Sequence, residues 1–163
     1  LIDEHLFGDE AAFRKQFMNS GTGLDELRER LASFAKRTLR RDVLEAYRRM
    51  AAAARAEVKV IADDPELLQI FSGFRDPEAD AARCAQQGNC DGLRRAVCSP
   101  HRTGTAVDLY VGRLDGHGVD STRPESRLEM SRGQTYRWLA ANARRFGFVP
   151  YVYEPWHWEY VGG

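Results

Sequence analysis

The chain has no apolar run long enough to cross a membrane as a helix. Ala51 to Ala62 comes nearest, and Arg55, Glu57 and Lys59 interrupt it. It has no surplus charge: 24 Lys and Arg balance 24 Asp and Glu. No overall basic field is therefore present to draw nucleic acid. Short basic runs, Arg40-Arg41 and Arg144-Arg145, read as solvated helix faces. Cysteine is scarce, with Cys84, Cys90 and Cys98 at a spacing unlike a zinc knuckle. In an oxidising compartment one disulfide and one free thiol result, with Cys84–Cys90 closing a small loop around Gly88-Asn89. In the cytosol all three stay reduced. There is no initiator methionine and no signal peptide, as expected of a processed or trimmed chain. Internal repeats and low-complexity segments are also lacking.

What is present suffices for one domain with a sizeable core, at 163 residues. Ala12, Phe13, Phe17 and Met18 suggest a short helix before a loop at Asn19–Gly23. The expected organisation is an N-terminal extension over 1–22 and a main domain over 23–163. Leu24, Leu27, Leu31, Phe34 and Ala35 fall at helical spacing. So do Val43, Tyr47, Met50, Ala54, Val58 and Ile61, which predict one long amphipathic helix over 42–62. Pro65 follows it, and 67–71 reads as a strand. Asp76-Pro77 reads as the capped start of a helix running towards Gly88. The stretch 112–130 reads as a long loop, with room for a short strand pair. Ser131 reads as the N-cap of a helix over 132–146 that Gly147 ends. Strands are expected over 148–153 and 156–161. Helices before and between short strands indicate an α+β fold with a mainly antiparallel sheet.

Two stretches carry chemistry. In Ser99-Pro-His-Arg-Thr-Gly-Thr-Ala-Val-Asp-Leu-Tyr-Val111 the second half alternates like a strand. Val107, Leu109 and Val111 face one way, and Ala106, Asp108 and Tyr110 the other. Gly104 permits a sharp entry into that strand, so His101 can fold back towards Asp108. An imidazole and a carboxylate converging on one point suit a zinc ion. The second stretch is Tyr151-Val-Tyr-Glu-Pro-Trp-His-Trp-Glu-Tyr-Val161. Its alternation and proline indicate a turn leading into a strand, not a helical HExxH motif. His157 supplies a third ligand and leaves a position open for water, as in catalytic rather than structural zinc sites. Glu154 stands where a general base for that water is wanted.

Ser-x-His-x-x-Gly-x-Ala-x-Asp followed by Glu-Pro-Trp-His-Trp-x-Tyr-Val-Gly resembles the zinc D-alanyl-D-alanine carboxypeptidases of the VanY type. Ser72-Gly-Phe-Arg75 looks like that family's Ser-Gly-Tyr-Arg element. The three elements stand in the family's order. The resemblance implies a zinc peptidase domain acting on peptidoglycan peptides, outside the cytoplasm, with Zn2+ held on the open face of the sheet. His101, Asp108 and His157 are the expected metal ligands and Glu154 the expected base. Arg75 is expected at the substrate, either stabilising negative charge on the carbonyl oxygen or pairing with a terminal carboxylate. Ser99 either hydrogen-bonds the substrate or shapes the turn. Trp156 is expected to wall the pocket. A stem-peptide endopeptidase and a non-catalytic zinc-holding module are the alternatives. Two departures from the family bear on substrate preference. Arg102 stands where a smaller or uncharged residue is common, and the loop 113–130 is rich in charge.

Overall fold

The computed structural model describes residues 39–88 and 99–162. The expected extension over 1–22, the boundary at 23, the helix over 24–35 and two of the three cysteines lie outside the described residues.

Val43, Ala46, Met50 and Ala54 recur at helical spacing and are buried along one side of α1, Arg41–Glu57. The long helix expected over 42–62 is broken at Val58, which is extended with φ −128° and ψ 110°. A short helix α2, Lys59–Asp63, follows and buries Ile61. The Arg55 guanidinium donates to the carbonyl oxygens of Ile61 at 2.6 Å and Leu67 at 2.7 Å. It thereby ties the folded-back segment to α1. Periodicity could not mark this break, because Ile61 keeps the same buried stripe on either side of it.

Strand β1 is Ile70–Ser72, shorter and later than the expected 67–71. Leu68 explains the shift: it takes a positive φ of 67° and turns the chain while its side chain is fully buried. Helix α3, Pro77–Gln87, begins as expected, with the Asp76 carboxylate accepting from the Glu78 backbone N–H. A 3₁₀ turn, Pro100–Thr103, leads into β2, Ala106–Leu109. The loop expected over 112–130 contains helix α4, Pro124–Arg132. Pro124 at its first turn and Glu125 beside it are ordinary start signals that the glycine-rich loop before them obscured. Ser131 is not a cap: its hydroxyl donates to the Arg127 carbonyl inside α4. Gly133 separates α4 from α5, Gln134–Asn142, and a 3₁₀ turn Ala143–Phe146 follows. Gly147 ends it with φ 85°. Strands β3, Phe148–Pro150, and β4, His157–Tyr160, are shorter than expected because residues 151–156 form the turn between them.

The four strands make an antiparallel sheet in the order β1-β2-β4-β3. The fold is α+β, as the pattern indicated. Val107 opposes Trp158, and both enter the core with Leu109, Phe148, Met50, Ile61 and Leu139. Ala106 opposes Glu159 and Asp108 opposes His157 on the other face. Strand β2 is buried along its whole length, so the site face is more enclosed than a half-exposed strand would be.

Gly104 is the residue on which the approach to β2 turns. Its φ is 68°, and a Cβ there would lie 3.2 Å from the Arg40 backbone nitrogen. Arg40 N–H donates to the Gly104 carbonyl, so this contact is part of the fold. Gly104→Ala is expected to destabilise the protein by more than about 1 kcal/mol, through strained backbone and the close approach together. Its melting temperature should fall by at least ~2–4 °C in a calorimetric scan.

Tyr47 links α1 to the start of β1, its hydroxyl donating to the Leu68 carbonyl at 2.8 Å. Burial pushes its phenol pKa up, against the pull of Arg55 and Arg48. A raised folded pKa means stability is kept below the unfolded value and lost as pH rises through the folded one. Near neutral pH, Tyr47→Phe should cost about 1 kcal/mol. In strong alkali the gap should close, since only the parent has a phenol to ionise. Denaturant titrations across that range check it; a gap that widens in alkali would contradict it.

Candidate metal centre

The sheet register brings two of the candidate ligands, Asp108 and His157, together. Leu109 N–H donates to the Trp156 carbonyl, and Tyr160 N–H to the Thr105 carbonyl. With those bonds in place, Asp108 and His157 form a non-hydrogen-bonded cross-strand pair. Such pairs hold their side chains closest, with Cα atoms about 4.5 Å apart. His157 Nδ1 lies 3.0 Å from Asp108 Oδ1.

The third candidate ligand, His101, comes from the 3₁₀ turn. The Ser99 hydroxyl accepts from His101 N–H and caps that turn, while Gly104 closes it. The segment after β1 then pins the turn in two places. Arg75 N–H donates to the His101 carbonyl at 2.9 Å. His101 Nδ1 lies 2.6 Å from the Gly73 carbonyl oxygen, which can only accept. Nδ1 therefore carries the proton, and Nε2 presents a lone pair. That lone pair is 3.1 Å from His157 Nδ1 and 3.3 Å from Asp108 Oδ1. His157 is oriented in the same manner. Its Nε2 faces the Glu159 carboxylate at 3.3 Å, which leaves Nδ1 to point inward.

Three acceptor atoms thus meet in a triangle with edges of 3.0 to 3.3 Å. All three residues are buried, and their ligand atoms lie within 4.8 Å of one another. Tetrahedral zinc with bonds of about 2.0–2.1 Å needs ligand edges of about 3.3 Å. The donor set, the spacing and the hydrogen bonds to the outer ring nitrogens all fit such an ion. Lone pairs at this distance repel unless a cation lies between them. With a proton on the inward nitrogens in place of a metal ion, the balance carries the same sign. Burial opposes the charge on Asp108, but hydrogen bonds from His101 and His157 and their charges hold its carboxyl down to about 2. Burial also opposes a charged His157, yet the Asp108 hydrogen bond and the carboxylates of Asp108, Glu154 and Glu159 raise its pKa. The pocket is built for positive charge.

Glu154 sits in the turn between β3 and β4, outside the ligand triangle. Its N–H donates to the Tyr151 carbonyl, and its carbonyl accepts from His157 N–H. This double turn fixes the carboxylate's segment beside the ligand. Burial raises its pKa; the charges of His157, His101 and Arg75 pull it down, and that of Asp108 pushes it up. The same residues that surround the triangle are therefore its electrostatic neighbours. The Arg75 side chain is partly exposed, with Nε 3.7 Å from Asp80 Oδ1. Trp156 is buried in the core, and its backbone carbonyl belongs to the β2–β4 ladder. His117 lies apart from the cluster, near the Ser121 hydroxyl. An open cavity of about 290 Å³ includes Tyr110, two positions beyond Asp108, but none of the three ligands.

The family model for VanY, D-alanyl-D-alanine carboxypeptidase, matches residues 36–163. The chain belongs to the VanY family. Comparison with curated proteins gives no match. Among solved structures it is similar to the LD-carboxypeptidase LdcB, described for its peptidoglycan recognition. The identity is 25%, the TM-score 0.55, and the match covers 78% of this chain and 61% of that one. It is also similar to VanYB in complex with D-Ala-D-Ala, at 24% identity and TM-score 0.46, covering 76% and 72% of the two chains. A mutant of the vancomycin resistance D,D-pentapeptidase VanY in complex with Zn(II) is similar at 24% and 0.44, covering 76% and 73%. The chain spans less than two thirds of the LdcB structure.

Sequence reading missed three parts of this VanY-family site. Gly73 contributes through its carbonyl, which no side-chain pattern reveals. Glu159 was legible only as an alternating strand residue. Asp80 looked like one more charge in the first turns of α3.

His101→Ala and His157→Ala should each lose most bound zinc by elemental analysis. Added zinc should raise the melting temperature of the metal-stripped parent, since a ligand of the folded state stabilises it. The same addition should leave both variants unmoved. A variant that retains full zinc would remove that residue from the ligand set.

Proposed function

We propose that the chain is a zinc-dependent peptidase that hydrolyses the terminal D-Ala-D-Ala bond of peptidoglycan peptides. One observation carries this reading: His101, Asp108 and His157 converge, with Glu154 beside them and outside the triangle. Their ligand atoms are Nε2, a carboxylate oxygen and Nδ1. When bound there, zinc supplies Lewis acidity towards the scissile carbonyl and the attacking water. Glu154 takes a proton from that water and passes it to the departing amine nitrogen, a poor leaving group unless protonated. Its raised pKa suits both transfers. Arg75 faces the developing carbonyl charge or the terminal carboxylate. Ser99 holds the His101 turn through its hydroxyl oxygen and retains an O–H to donate. Trp156 supports the ligand strand from beneath. A purely zinc-holding module would not need Glu154.

The work site follows from the substrate: peptidoglycan lies outside the cytoplasm. Cys84 is disulfide-bonded, which supports an oxidising compartment. No helix among the described residues is long and apolar enough to cross a membrane. The likeness to LdcB favours a second reading, in which the residue before the terminal D-Ala has the L configuration. Incubating the protein with D,D- and L,D-terminated stem peptides, with and without chelator, tests both. Release of D-Ala from neither would sink the proposal.

Glu154→Gln keeps the shape of the side chain but cannot accept the proton. Turnover should fall by at least ~10²-fold, the lower end for general acid–base groups. Zinc stoichiometry and the melting curve should remain those of a folded, loaded protein. Turnover within a few-fold of the parent would place the base elsewhere.

A further inference from the structure

Apart from Asp108, one carboxylate among the described residues is withdrawn from solvent. It is Asp80 on α3, 1% exposed. A buried carboxylate is costly unless it is paired. Asp80 is paired with two guanidinium groups, and both adjoin the metal centre. Arg102, next to ligand His101, donates to Asp80 Oδ2 from Nε at 3.1 Å and from Nη2 at 2.8 Å. Arg75, whose backbone N–H holds the His101 carbonyl, approaches Oδ1 with Nε at 3.7 Å.

The two arginines share the carboxylate unequally. Arg102 is bound by two short hydrogen bonds and is committed. The Arg75 contact is longer than a hydrogen bond and acts through charge. Among the described residues, the terminal nitrogens of Arg75 have no hydrogen-bonding partner. Arg75 is also the side chain of this pair whose field reaches Glu154. A planar fork with its ends unspent is the arrangement that meets a carboxylate or a carbonyl oxygen.

We propose that Asp80 is a positioning residue that aims Arg75 at the substrate, with Arg102 holding Asp80 in place. Asp80 does not touch the reacting atoms; it acts through Arg75. The Arg75–Asp80–Arg102 cluster ties α3 to the ligand turn and presents a single uncommitted guanidinium to an anionic or polarised substrate oxygen. This inference rests on the proposed peptidase reading.

The test is a double-mutant cycle on the zinc-loaded protein, with a D-Ala-D-Ala-terminated peptide as substrate. Asp80→Asn keeps the shape and removes the charge. It should lower kcat/KM by roughly tenfold, as expected for contacting, coupled residues. In an Arg75→Ala background the same change should cost less than about twofold, because the group it acts through is gone. The loss should fall on the same parameter, KM or kcat, as in Arg75→Ala alone, with zinc stoichiometry unchanged. Equal losses in both backgrounds, or a loss in the other parameter, would overturn the proposal and make Asp80 structural. If Asp80→Asn fails to melt cooperatively, the paired change Asp80→Asn with Arg102→Gln replaces the buried ion pair by neutral amides. The same cycle is then run on that pair, with the same expected outcomes. A parent inert on the peptide overturns the peptidase reading and this inference together. An active parent with additive losses overturns this inference alone.

Discussion

The site depends on one cross-strand pair. Asp108 and His157 oppose each other without backbone hydrogen bonds between them, at the closest spacing an antiparallel sheet allows. Shifting β4 by one residue would exchange the faces, placing Trp158 beside Asp108 and His157 in the core. The core forbids that slip. Trp158 is fully buried against Tyr136 and hydrogen-bonded through its indole N–H to the Pro155 carbonyl. Hydrophobic packing on one face of the sheet thus holds the register that brings Asp108 and His157 together on the other.

The third candidate ligand is held by a different device. His101 lies outside the sheet, so register cannot place it. Instead the segment leaving β1 grips its turn through Gly73 and Arg75. The Ser-Gly-Phe-Arg element therefore serves the ligand turn with its backbone while offering a guanidinium from Arg75. Gly104 makes the geometry possible from the other end, where Arg40 leaves no room for a side chain. The proton positions follow from these contacts: each histidine gives its outer N–H to an oxygen and turns a lone pair inward. The electrostatics are arranged in shells. Lone pairs and one carboxylate line the centre, Glu154 stands beside it, and Arg102 of the turn and Arg75 both meet the buried Asp80.

Much of this was legible in the residues themselves. Alternation from Thr105 to Val111 located β2 and showed that Asp108 faces away from the core. The proline and the aromatic alternation after Tyr151 showed that His157 enters a strand from a turn. Helical spacing identified the buried stripe of α1, and Gly147 marked the end of the turn before β3. Where the reading failed, the reasons were specific. Val58 interrupts a helix whose apolar stripe continues through the break. Leu68 adopts a left-handed backbone that no leucine advertises. Helix α4 hides behind a glycine-rich stretch, and Ser131 spends its hydroxyl on the turn behind it.

Local pattern located most of the elements and singled out His101, Asp108, His157 and Glu154 as candidate site residues in their order along the chain. These are properties of neighbouring residues, where period, turn chemistry and side-chain type suffice. The tertiary structure alone decided which ring nitrogen of each histidine points inward, because that depends on Gly73 and Glu159 reaching the outer nitrogens. It also decided that Asp80 is buried between Arg75 and Arg102. Nothing within α3 calls for a buried carboxylate there. Folding brings two guanidinium groups from elsewhere in the chain to meet its charge, and long-range pairings of that kind leave no periodic trace.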